Sequence, residues 1–130
     1  MKVSHLADAC AVIVFLSEPD PARVMSETAD ELMRRGTVGV SAVTVWEITR
    51  KASTGKLPGN WGIGGLSDRL LRQGFEPVPL TWDDAEQANR LPAIHKDPMD
   101  RMLIAQSKRL GIPIITNDGL FAGYGVETVW

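Results

Sequence analysis

Residues 97–116 read DPMDRMLIAQSKRLGIPIIT, a segment of helical length followed at once by a short apolar one. Asp97 is a favourable N-cap and Pro98 suits the first position of a helix, so we predict that a helix begins here. Gly111 marks the predicted end of this helix. Residues 112–116 then form the clearest predicted strand of the chain. A helix that leads directly into an apolar strand is typical of α/β proteins.

The same alternation extends outward over the rest of the chain. Four further strands are predicted, at residues 2–7, 37–40, 75–80 and 124–130. Helices are predicted after Asp8, from an Asp20 cap to residue 35, after a Ser41 cap, over 66–73, and after Thr81 with Asp84 completing a capping box. Short strands separated by helices predict parallel β-α-β units with right-handed crossovers. Residues 58–65 contain four glycines and a proline and are predicted to be a loop.

Composition limits the possible functions. The 130 residues, 44% of them hydrophobic, fit one domain spanning residues 1–130. With 14 basic and 16 acidic residues the net charge is −2, so an RNA partner would have to be held by local positive charge. A single cysteine, Cys10, excludes an internal disulfide framework and a cysteine-ligated zinc site. The longest apolar run, residues 9–16, is too short to cross a membrane, and we expect a cytoplasmic protein.

Acidic residues follow two of the predicted strands directly: Asp8 and Asp118. If these strands are neighbours, both carboxylates lie at the same edge of the sheet, where ligands bind in open α/β folds. Each residue also has a purely structural interpretation as a turn residue or helix cap.

Three further acids have structural explanations of their own. Glu47 interrupts an apolar helix and can pair with Lys51 one turn later. Asp97 is explained as a cap, and Asp100 is favoured in the first helical turn by the helix dipole. If several of these carboxylates converge, their repulsion favours a bound cation. Oxygen ligands suit Mg²⁺ or Mn²⁺, which can activate water for cleavage of a phosphodiester.

Four segments now suggest a family: LAD at residues 6–8, SAVTVWEI at 41–48, HKDPMDRMLIAQ at 95–106 and ITND at 115–118. In this order and spacing they resemble the PIN-domain ribonucleases, and most closely the VapC-type toxins of bacterial toxin–antitoxin pairs. The resemblance covers nearly the whole chain. It implies a three-layer α/β/α sandwich with a central, mainly parallel sheet.

The resemblance also implies a function. It predicts an endoribonuclease that uses Mg²⁺ (or Mn²⁺), is inhibited by a cognate antitoxin and forms a homodimer. The residues that match the family's catalytic and metal-binding acids are Asp8, Glu47, Asp100 and Asp118. The residues predicted to support this site are Thr116, Asp97 and Ser41. Ala9, where many relatives carry a hydroxyl, and Met99, where Phe is common, depart from the pattern without changing an acid.

Basic and aromatic residues near these segments are open to two interpretations. Arg50, Lys51 and Arg101 are candidate contacts for an RNA backbone, although solvated surface charge is the simpler explanation for each. His95 is interpreted as a structural histidine in preference to a general base. Trp61 either folds back onto the core or contacts a second subunit or antitoxin.

Other functions fit the sequence less well. A PIN nuclease of RNA maturation or turnover would have no antitoxin. A non-catalytic domain binding RNA or protein would have no reason to keep four matched acids. A phospho-acceptor signalling domain needs an acidic pair after the first strand, but Asp8 is followed by Ala9 and Cys10.

Overall fold

The computed structural model describes residues 2–57, 61 and 65–130, and its centre is one parallel sheet. The sheet order is β3-β2-β1-β4-β5, and every pairing is parallel. The strands are β1 (His5–Ala7), β2 (Val38–Ser41), β3 (Glu76–Val78), β4 (Ile114–Ile115) and β5 (Thr128–Val129). The predicted parallel α/β fold is therefore confirmed.

Helices cover both faces of this sheet. The α-helices are α1 (Ala9–Ser17), α2 (Glu27–Arg34), α3 (Ala42–Ser53), α4 (Gly65–Arg72), α5 (Trp82–Arg90) and α6 (Pro98–Leu110). Successive strand residues point to opposite faces, so Ala7 and Ile115 join one apolar cluster while Leu6 and Ile114 join another. The first cluster packs against α1–α4 and the second against α6, which produces three layers.

Local capping explains where the helices near the site begin. Ser41 accepts a hydrogen bond from Val43 N–H and begins α3 directly at the end of β2. Thr81 and Asp84 form a reciprocal capping box at the start of α5. Asp97 caps α6, and Gly111 ends it with a positive φ of 67°. These three predicted caps are confirmed.

The helix predicted from Asp20 to residue 35 is wrong as one element. Pro21–Arg23 form only a short 3₁₀ helix, and Asp20 makes no capping hydrogen bond with its side chain. The chain breaks at Ser26, whose extended backbone and hydroxyl cap α2 by accepting from Ala29 N–H over 3.1 Å. The break lets Met25 enter the core, where it is 3% exposed.

The last strand is also shorter than predicted. Phe121–Tyr124 form a 3₁₀ helix that buries both aromatic rings, and the chain then turns at Gly125 before β5. Most of the predicted loop at 58–65 lies outside the described residues. Trp61 is described: it is 4% exposed and belongs to the core, with Arg69 over its ring.

Among the helices described, none combines the length and apolar character needed to cross a bilayer.

Candidate metal centre

The ends of β1 and β4 define the position of the candidate site. These strands are hydrogen-bonded neighbours, with Ala7 paired to Ile115. The next residues, Asp8 and Thr116, are therefore adjacent at the carboxyl edge of the sheet. Asp8 N–H donates to the carbonyl of Ile115 over 3.1 Å, which extends the pairing to this edge.

Asp8 is the most deeply buried acid of the site, at 6% exposed. Its carboxylate caps α1 by accepting from Ala11 N–H over 2.9 Å, and it also accepts a hydrogen bond from Thr116. Burial nevertheless raises its pKa to about 6, and the negative charges of Glu47 and Asp118 act in the same direction. Asp8 therefore stabilises the start of α1, while its ionised form is destabilised by burial and by the neighbouring acids.

Glu47 reaches the site from α3. One of its carboxylate oxygens lies in a group with oxygens of Asp97 and Asp100, all within 4.8 Å of one another. Its side chain is 18% exposed and pairs with Lys51 over 3.5 Å. Glu47 therefore pairs with Lys51 and also lies close to Asp97 and Asp100.

Asp100 is the third residue of α6, and its carboxylate lies close to those of Glu47 and Asp97. Burial is the largest cause that raises its pKa, to about 7, followed by the charges of Asp97, Glu47 and Asp8. His95 opposes this shift. Asp97, beyond capping α6 through Met99 N–H, is therefore also part of the electrostatic environment of Asp100.

Asp118 lies at the same edge but is held differently. One of its oxygens accepts from Leu120 N–H over 2.9 Å. Its other oxygen lies 2.7 Å from Nε2 of His95, and that nitrogen lies 3.1 Å from an oxygen of Asp100. His95 thus stands between two acids, a position that sequence reasoning missed.

Arg101, a predicted RNA contact, makes several hydrogen bonds within the fold. Its guanidinium donates to the carbonyls of Ala88, Leu91, Pro92 and His95, at 2.8 to 3.1 Å, and contacts the Tyr124 hydroxyl at 3.4 Å. These contacts fix the segment between α5 and α6. A guanidinium so engaged has little capacity left for phosphate.

The other two predicted RNA contacts are more accessible. Arg50 is exposed on α3 and lies over the ring of Trp46, with 5.4 Å between the guanidinium carbon and the ring centroid. Lys51 follows it, with a side chain 46% exposed and paired to Glu47. Both cations therefore lie on the helix that carries a site acid.

The residues present fit a hard divalent cation. Four elements or element ends contribute the carboxylates: Asp8 after β1, Glu47 on α3, Asp97 and Asp100 at the start of α6, and Asp118 after β4. The raised pKa values of Asp8 and Asp100 show that neighbouring negative charge and burial destabilise their ionised forms. A cation coordinated by oxygen would offset both effects.

Comparison with known proteins adds a family to this geometry. The PIN domain model matches residues 6–126. FitAcB from Neisseria gonorrhoeae superposes with a TM-score of 0.67 at 20% identity, over 96% of each chain. The sarcin–ricin-loop-cleaving toxin VapC20 of Mycobacterium tuberculosis gives 0.65 at 18% identity, over 95% of this chain and 96% of that one. A toxin–antitoxin complex from Klebsiella pneumoniae gives 0.63 at 18% identity, over 92% of each chain.

A comparison with curated proteins finds no match. The structural likenesses, all at low identity, establish the fold. Because the family model covers all four acidic segments and nearly the whole length, the chain belongs to the PIN-domain family.

Proposed function

We propose that the protein is an endoribonuclease that depends on Mg²⁺ or Mn²⁺ and acts as the toxin of a toxin–antitoxin pair. The observation that carries this proposal is the convergence of Asp8, Glu47, Asp100 and Asp118 from four separate segments of the chain. Structural neighbours that are toxins or belong to toxin–antitoxin complexes support the biological role.

Asp8 and Asp100 would hold the cation, since their ionised forms have the most to gain from it. Glu47 and Asp118 would complete the site directly or through water. A divalent ion bound there would supply activated water and would neutralise charge that builds on the phosphoryl group. Glu47, whose carboxylate is partly exposed, would orient the attacking water or accept a proton from it.

Arg50 and Lys51 would hold the substrate next to these acids. A strongly acidic site repels RNA, so cations close to it are needed to bind the phosphate backbone. Both residues lie within one helical turn of Glu47 on α3. This local placement reconciles an RNA substrate with a net charge of −2.

The proposed partners are an RNA substrate, a cognate antitoxin and a second copy of the chain. The proposed location of the protein is the cytoplasm. Two exposed tryptophans support a protein partner: Trp82 is 92% exposed and Trp46 is 51% exposed. Aromatic residues are enriched at protein interfaces relative to the rest of the surface. Light scattering at several protein concentrations would measure the oligomeric state.

The test is cleavage of RNA by purified wild type and by Asp100→Asn, each with Mn²⁺ and with a chelator. We expect cleavage by the wild type with Mn²⁺ and by no other combination. The matched control is Asp20→Asn, which makes the same chemical change at an exposed aspartate without a capping bond. Equal cleavage by Asp100→Asn would contradict the proposed site.

The toxin role needs a separate experiment. Expression of the wild type in a bacterial host is expected to arrest growth, whereas cells that express Asp100→Asn are expected to grow normally. Normal growth with an active purified nuclease would favour an enzyme of RNA maturation or turnover. Inactivity on total cellular RNA with Mn²⁺ present would favour a non-catalytic binding domain.

A further inference from the structure

His95 is held more firmly than a surface loop residue requires. Its backbone N–H donates to the Tyr124 hydroxyl over 2.6 Å, and its carbonyl accepts from Arg101 over 3.1 Å. The ring packs edge-on against Phe121, with 5.6 Å between centroids, and the side chain is 10% exposed. Backbone and ring are therefore both fixed before any contact with the acids is counted.

The contacts of the ring determine which nitrogen carries the proton. Nδ1 accepts a hydrogen bond from Asp97 N–H over 3.1 Å, so Nδ1 carries no hydrogen. A neutral imidazole then carries its hydrogen on Nε2. That nitrogen lies 2.7 Å from Asp118 Oδ2, a distance that suits donation to a carboxylate.

This proton placement excludes two roles. Nε2 cannot ligate a cation while it carries a hydrogen, and moving the hydrogen to Nδ1 would break the bond from Asp97. Nor can His95 act as a general base in this state, because Nε2 has no free lone pair and Nδ1 is occupied. What remains is donation from Nε2–H to Asp118 at 2.7 Å, with an oxygen of Asp100 lying 3.1 Å from the same nitrogen.

We propose that His95 is a positioning residue that holds Asp118 beside Asp100 so that both acids can act on one cation. Asp118 lies on the segment after β4 and Asp100 on α6, and His95 contacts both. The Nε2–H also lies where the two negative charges would otherwise face each other. The inference rests on the proposed metal site and assigns it a supporting residue.

The first measurement is the tautomer of His95, read from the ring ¹⁵N shifts by NMR. The chain has two histidines, so the variant His5→Gln assigns the signals of His95 by elimination. We expect the Nε2–H tautomer without metal and no change on adding Mg²⁺, which is diamagnetic. An Nδ1–H tautomer, or loss of the Nε2 proton when Mg²⁺ binds, would overturn the proposal.

The second measurement is Mg²⁺ affinity by calorimetry in His95→Ala and His95→Gln. Loss of a group that orients metal ligands costs 10–100-fold in affinity, and we expect a loss of about this size in the alanine variant. Glutamine can place an amide N–H near the position of Nε2 and is expected to recover most of it. The matched control, His5→Gln, lies at the start of β1 and is expected to bind like the wild type.

These outcomes separate a positioning role from a merely structural one. A structural histidine would lower the melting temperature of His95→Ala but leave the Mg²⁺ affinity of the folded variant unchanged, and that result would overturn the inference. In cleavage assays at saturating Mg²⁺ we expect kcat to fall more than KM rises. If the wild type binds no Mg²⁺, the proposed metal site fails, and the tautomer still decides whether His95 donates to Asp118.

Discussion

The backbone N–H of Asp118 donates to the hydroxyl of Thr116 over 3.0 Å. Since this bond occupies an acceptor position of the hydroxyl, the hydroxyl hydrogen is free to donate to Asp8, which it does. Thr116, 3% exposed, therefore links the acid after β1 to the acid after β4. Side-chain hydrogen bonds thus continue the contact between β1 and β4 beyond Ala7 and Ile115, the last paired residues. These bonds hold the carboxylates of Asp8 and Asp118 at the same edge of the sheet.

Mg²⁺ should stabilise the wild type more than Asp8→Asn. Asparagine is as good an N-cap as aspartate, so the variant keeps the start of α1 while losing one ligand charge. At a concentration of a hundred times the dissociation constant, Mg²⁺ would add about 2.7 kcal/mol to the wild type. Thermal unfolding with and without Mg²⁺ measures this, with Asp20→Asn as the control. Equal shifts in wild type and Asp8→Asn would show that the ion binds elsewhere.

The metal-free protein should lose stability as the pH rises from 5 to 8. The pKa values of Asp8 and Asp100 are raised from 3.8 to about 6 and about 7, so the folded state binds more protons than the unfolded state over this interval. The contribution of each group to stability is full below the unfolded-state pKa of 3.8, decreases as the pH rises above that value, and is lost once the pH exceeds the folded-state pKa. Asp100→Asn should flatten the dependence by about 2 kcal/mol, measured by urea unfolding in a chelating buffer.

The comparison with Asp100→Asn isolates this effect. His5, whose pKa is lowered mainly by burial, acts in the opposite direction but is present in both proteins. The lowered pKa of Asp84 acts only below pH 4, outside the interval measured. The same slope in the wild type and the variant would argue against the burial of Asp100.

Arg101→Lys should destabilise the protein by about 2–4 kcal/mol. A lysine cannot reproduce the fork that satisfies four carbonyls, and leaving those carbonyls without a donor carries a desolvation cost. Urea unfolding measures the decrease in stability, and the exposed Arg23→Lys is the control. A fully stable variant with weaker RNA binding would restore the RNA contact that the sequence suggested for Arg101.

Replacing Arg50 and Lys51 by glutamine should weaken RNA binding and its dependence on salt. For each phosphate that the variant no longer neutralises, the slope of log K against log salt is expected to fall by about 0.7 for a single strand. Fluorescence anisotropy with a single-stranded RNA, in the Asp100→Asn background, measures binding without cleavage. Arg23→Gln serves as the control, since it follows α1, which runs away from the site. An unchanged slope would show that neither residue neutralises an RNA phosphate.

Capping signals made much of this arrangement predictable. The α6 start depends on Asp97 and Pro98, which are adjacent in sequence, and the same signals place Asp100 in the first turn. The edge that carries the candidate site was predictable because the residues that follow parallel strands all lie at the carboxyl edge of the sheet. These signals account for the positions of Asp8, Asp100 and Asp118, whereas Glu47, inside α3, was assigned to the site by the family resemblance.

The contacts that could not be predicted are those made across the fold. Arg101 reaches carbonyls up to 13 residues away and a hydroxyl 23 residues away, through a segment without regular structure. His95 meets Asp118 across 23 residues of sequence, and its ring also packs against Phe121 of the 3₁₀ helix after β4. Neither arrangement has a periodicity or local cap to reveal it. The break before Ser26 was missed because Asp20 and Pro21 carry an equally good local signal.

The distribution of the acids along the chain has a consequence for synthesis. Asp8 is made first, yet β1 lies between β2 and β4 in the sheet, so its edge is incomplete until residues 114–118 exist. A growing polypeptide that ends before Asp118 cannot assemble the centre, however well its earlier helices have formed. The same holds for any proteolytic fragment that separates the first forty residues from the last twenty. The proposed centre therefore depends on segments near both ends of these 130 residues.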